Sequence, residues 1–266
     1  MKAIKICMLL MILAMAGVNA QAQDEIETYR WNGTITGTNI SHQVKIAVAK
    51  EDSVAIGEIY GLTASGVPLR VIGTWNDEVG TCQLDCFTPT GKIFAVIRGE
   101  LGKGKLNGYY YEGKNSAKIA LARVGIKPKY DMYRKSGAYC SPFNNNVIYY
   151  FHNFNPIYGV YAYSHSDGSG SGTATIKYGG APAYVLCKIN VTLGPPSYNT
   201  GKEDCPGKLE GDYFMCYNAS CDYSFKVSLY NDFIIITSNS GSAAGCYGMN
   251  VSLEGIYYKV RSLKQK

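Results

Sequence analysis

The sequence predicts an all-β protein made of two tandem antiparallel meander barrels or sandwiches of about eight strands each. Three observations carry that expectation. From Trp31 onward the chain alternates apolar and polar residues with period two; Gly, Asn, Asp and Ser punctuate the runs; and no long stretch has apolar residues at helical spacing. A basic, proline-containing stretch near the middle, "GIKPKYDMYRKSG", splits the strands into two groups.

The first segment, 1–22, has the three-part layout of a secretory signal peptide. Lys2 and Lys5 precede an apolar run from Ile6 to Val18, and small residues follow at Ala20 and Ala22. Thirteen apolar residues fall short of the roughly 20 that a spanning helix needs. Cleavage, export to the periplasm or beyond a bacterial envelope, and a mature chain with no transmembrane segment are therefore expected. Removing Lys2 and Lys5 lowers the formal charge from +6 to +4, too modest and too scattered for a nucleic-acid surface.

An N-terminal β domain is expected over 24–125. Its strands are predicted at about 28–36, 43–50, 54–60, 67–75, 81–88, 92–101, 105–112 and 118–124, joined by short turns. Residues 126–137 read as a solvated linker. A C-terminal domain rich in tyrosine and held by disulfides is expected over 138–262. Its strands are predicted at about 147–154, 158–164, 173–178, 184–191, 209–216, 223–230, 233–238 and 251–260. Within it "SDGSGSG" reads as a hairpin turn, and 194–207 as a long loop.

One phrase, Leu-x-Gly-x-Tyr, occurs at Leu106–Tyr110, Leu209–Tyr213 and Leu253–Tyr257. On a strand its three named residues share one face, and a glycine there lets the sheet bend or another backbone approach. The phrase therefore reads as a curvature device.

Eight cysteines follow the signal segment, an even number that suggests disulfides in an exported chain. Their spacing lacks metal-ligand pattern, and neither a metal nor a cofactor is expected. Cys82 and Cys86 lie on one strand, about 13 Å apart, too far to bridge. Cys216 and Cys221 flank a polar turn in "CYNASC", which makes them the expected bridge.

After the signal segment the chain has only His42, His152 and His165, and it contains neither H-E-x-x-H nor G-x-S-x-G. A non-enzyme is the expectation. Of the 23 tyrosines, 18 lie from Tyr130 onward, where ring and hydroxyl suit a sugar or protein contact surface. If "VIYYFHNF" pairs with "YGVYAYSHS", the residues Tyr150, His152, Tyr161, Tyr163 and His165 form one aromatic strip. The leading reading is a secreted, non-catalytic binding module for a glycan or an extracellular protein. The alternatives are an inhibitor of an extracellular or periplasmic hydrolase, presenting 194–207, and a hydrolase using carboxylates.

Overall fold

The structure is a computed structural model that describes residues 27–102, 104–124, 138–140, 148–150, 157–241 and 246–264. Every regular element among them is a β-strand. The first eight are β1 (Glu27–Gly37), β2 (Ile40–Glu51), β3 (Val54–Tyr60), β4 (Leu69–Asn76), β5 (Thr81–Phe87), β6 (Lys92–Gly102), β7 (Lys105–Glu112) and β8 (Asn115–Arg123). Each pairs antiparallel with the next, and β8 returns to pair with β1 at Trp31↔Arg123 and Ile35↔Ile119. The result is a closed eight-stranded barrel.

Period-two patterning fills its interior. Trp31, Ile35, Val44, Ile46, Trp75, Ile97, Leu106 and Tyr110 are buried there, with Tyr29 and Trp75 ring to ring at 4.6 Å. Large side chains occupy this lumen, as in other barrels of eight strands whose inward residues are large.

Two short strands, β9 (Ala138–Cys140) and β10 (Ile148–Tyr150), pair with each other. Eight further strands follow: β11 (Gly159–His165), β12 (Gly170–Tyr178), β13 (Tyr184–Leu193), β14 (Thr200–Glu210), β15 (Tyr213–Asn218), β16 (Tyr223–Leu229), β17 (Phe233–Ser240) and β18 (Gly255–Ser262). They pair in sequence, and β18 also pairs with β11 across a bulge at Val160/Tyr161. Their inward faces meet in a second core that includes Tyr161, Ile176, Phe214, Phe225 and Tyr257.

Several expectations change here. The expected loop 194–207 is largely strand, because β14 begins at Thr200 and pairs with β13 through Cys187↔Cys205 and beyond. An inhibitor would have only 194–199 to present at that place. The expected strand 209–216 is broken by a turn at Gly211 and Asp212. The expected linker, 126–137, lies outside the described residues.

The Leu-x-Gly-x-Tyr copies do three different things. Gly108 sits mid-wall opposite Gly99, where a side chain would collide with the Arg98 carbonyl oxygen. Gly211 takes a left-handed conformation in the β14–β15 turn, with open space around it. Gly255 opens β18, and Tyr257 beyond it donates its hydroxyl back to the Leu253 carbonyl at 2.7 Å. Only the first copy lets another backbone approach closely from within a strand.

The cysteines also pair differently from expectation. Bridges join Cys205 to Cys216 and Cys221 to Cys246, with Cα separations of 5.8 and 5.5 Å. Cys216 is opposite Phe225 within the β15–β16 ladder and faces the core, whereas Cys221 lies in the turn beyond that ladder. A bridge between those two would have to join a core residue to a turn residue. Cys82 and Cys86 are free and buried, as their strand spacing predicts. Two disulfides are compatible with an exported protein, and no helix among the described residues is long and apolar enough to cross a membrane.

The two strand sets meet along a third apolar cluster. Ala49, Val54, Ile56, Ile72, Phe87 and Ile93, on the outer wall of the barrel, pack against Phe233, Ile235 and Ile256. Beside them Arg70 holds Asp232 through two contacts of 3.2 Å, and the fully buried Glu58 stands directly opposite Arg70. A parallel contact, Ser164↔Lys92 and His165↔Ile93, joins β11 to β6.

Candidate functional site

The rest of the barrel wall is polar and open. Register places six outward side chains in one lateral row across six strands: Thr74, Gln83, Arg98, Tyr109, Lys118 and Thr36. Neighbours in such a row are about 5 Å apart. The next row outward carries Asn76, Thr81, Glu100, Asn107 and Ala120. Between and around them runs a groove of about 720 Å³. Its floor is backbone at Gly99 and Gly108, where the paired glycines let β6 and β7 lie close.

Two tyrosines stand proud of this wall. Tyr109 is 51% exposed and Tyr111 37%, with ring centroids 6.3 Å apart. The Arg98 guanidinium lies 5.8 Å from the Tyr111 ring centre, and its Nε donates to Gln83 Oε1 at 3.1 Å. Gln83 in turn donates from Nε2 to Asp85 Oδ1 at 3.3 Å. Burial pushes the Asp85 carboxyl up to about 6, against the opposing pull of the Gln83 hydrogen bond and the Arg98 charge. A chain of three side chains thus connects a buried acid to the exposed wall.

His165 is within electrostatic range of the same Arg98. Burial lowers its pKa, Asp167 raises it and Arg98 lowers it further. Next to it, Tyr163 is half-buried, edge-on to Tyr257 at 4.9 Å and to His165 at 5.7 Å. The Ser166 hydroxyl donates to the Phe94 carbonyl and accepts from the Gly113 amide, both at 3.2 Å, fastening the β11–β12 turn to the barrel.

The strip expected from the sequence is not assembled by strand pairing. Both edges of β11 are occupied, by β12 and β18, and β10 pairs with β9. Tyr161 is fully buried in the second core and donates its hydroxyl to the Ile157 carbonyl at 2.7 Å, so it is a packing residue. Tyr163 and His165 lie together at the seam, beside the barrel wall. Tyr150 belongs to the separate β9–β10 pair, and His152 lies outside the described residues.

Gln83, Arg98, Tyr109 and Lys118 escaped the sequence reading because they lie on four strands. A signal was nevertheless present. The end pairs Gly102↔Lys105 and Glu112↔Asn115, the second closed by a two-residue turn at 113–114, fix the register, and counting back from them puts Tyr109 opposite both Arg98 and Lys118. A second polar cluster was also missed: Glu112 Oε2 accepts from Tyr110 at 2.7 Å and lies 3.0 Å from His42 Nε2.

No protein-family model matches the chain, and no curated protein matches it. Among solved structures, a protein of unknown function from the DUF3598 family of Nostoc punctiforme is similar over 81% of this chain and 80% of that one, at 6% identity and a TM-score of 0.23.

Proposed function

We propose that the protein is an exported, non-catalytic module that binds an oligosaccharide on the outer wall of its first barrel. We further read β11–β18, whose last strand returns to the first, as a second barrel that buttresses the first. The observation that supports binding is the groove that the exposed Tyr109 ring lines amid Gln83, Arg98, Asn107 and Glu100, with the exposed Tyr111 ring 6.3 Å from Tyr109 beside it. Sugars present alternating apolar C–H faces and hydroxyl edges. A tyrosine ring meets the first, and amide, guanidinium and carboxylate groups meet the second.

The test is direct. The protein without residues 1–22 is applied to an array of soluble oligosaccharides, and hits are measured by titration calorimetry. Replacing Tyr109 and Tyr111 together by Ala should weaken binding at least about tenfold while the thermal midpoint stays close to wild type, because both rings are exposed. Retained binding in that double variant overturns the site, and release of new reducing ends overturns the non-catalytic reading.

A further inference from the structure

Within the sugar-binding reading, on which this step rests, we infer that the groove selects oligosaccharides carrying an anionic group, a carboxylate or a sulfate ester. The row that holds the most exposed ring of the groove decides it. Tyr109 is flanked directly by Arg98 on β6 and Lys118 on β8, all three side chains exposed. No acidic residue occupies that row, which runs on through Gln83 and Thr74 on one side and Thr36 on the other.

The acids nearby are placed elsewhere. Asp85 lies one row away on the seam side, buried, and reaches Arg98 through Gln83. Glu100 lies one row away on the opposite side, beside Asn107, in position to take sugar hydroxyls. A pyranose ring stacked on Tyr109 therefore has a cation at either edge. Arg98 is oriented to meet an anion, because Gln83 holds its Nε and leaves the two terminal nitrogens as a fork for a planar or tetrahedral oxyanion. Lys118 supplies a point charge on the other side. A neutral sugar would satisfy the ring and offer Arg98 only hydroxyls, leaving the charge of both cations without a counter-ion.

The experiment uses three probes on the chain lacking residues 1–22: an oligogalacturonate, the same oligosaccharide with its carboxyl groups reduced, and a sulfated derivative of the reduced form. At least one acidic probe should bind about tenfold or more tightly than the reduced one, and the margin should shrink as salt rises. Which acidic probe binds distinguishes carboxylate from sulfate. Arg98→Gln and Lys118→Gln should each lower the acidic affinity roughly tenfold, several-fold more than either lowers the affinity for the reduced probe. Tyr109→Ala should weaken all three.

Equal affinity for reduced and acidic probes, with Tyr109 still required, overturns the selectivity and leaves sugar binding standing. So does an acidic preference that survives both charge substitutions together. Failure of all three probes to bind, with melting curves intact, overturns the selectivity and counts against sugar binding as well.

Discussion

Asp85 shows how one residue couples burial to the wall. The residue is 7% exposed, and burial pushes its carboxyl up to about 6, against an ordinary value of 3.8. The folded state therefore binds this proton more tightly than the unfolded chain does. Its destabilising effect is absent below about pH 4, grows as pH rises from 4 to 6, and is fully present above 6. A difference of about two pH units corresponds to roughly 3 kcal/mol at neutral pH. Asp85→Asn should accordingly stabilise the protein by about 2 kcal/mol at pH 7 and by almost nothing at pH 4. Urea unfolding at the two pH values measures the gap, and a variant equally stabilised at both would show that Asp85 does not titrate in this window. The same shift bears on the groove, since neutralising Asp85 removes a buried counter-charge that reaches Arg98 through Gln83.

At the level of strands, the turns decided what could be read. Where a two-residue turn closes a hairpin, as at 113–114, strand ends and register follow from the letters alone, and β3 and β7 occupy the expected ranges. Where the turn chemistry is disguised, the reading fails. The 194–207 stretch, with Pro195, Pro196, Gly201 and Pro206, reads as a loop, but Pro206 faces outward on β14 and β13 supplies the pairing that carries the strand through it. The candidate site failed for a related reason: period two says which residues share a face, and only long-range pairing says which face meets water. Tyr161 and Tyr109 both alternate correctly, yet one is in a core and the other in a groove. Gly108 is the test of the groove floor. Its replacement by Ala has to push β6 and β7 apart against the Arg98 carbonyl, and should cost about 1–3 kcal/mol in stability. Calorimetry on the variant checks the cost. A neutral effect would mean that the wall relaxes there without strain.

At the level of the molecule, the seam makes the two strand sets depend on each other. Arg70 is paired in register with Glu58, which has no exposed surface, and holds Asp232 from the other set. Arg70→Ala leaves Asp232 without that cation and should cost about 2–3 kcal/mol. Because the apolar cluster behind it spans both sets, wild type should melt in one calorimetric transition. Arg70→Ala should lower that transition and begin to split it. Two resolved transitions in the wild type would contradict a shared core.

The barrel wall is thus wetted on one side only. Ala49, Ile56, Ile72, Phe87 and Ile93 form a dry flank, and the Thr74–Lys118 row forms a wet one on the same cylinder. Severed after residue 124, the first eight strands would keep their filled lumen but bare the dry flank to solvent, an apolar surface of the kind that drives self-association. The polar flank would be untouched by such a cut. Solubility and recognition are therefore assigned to opposite sides of one sheet, and polar substitutions at Ile72 and Phe87 would be the way to keep the severed barrel in solution with its groove intact.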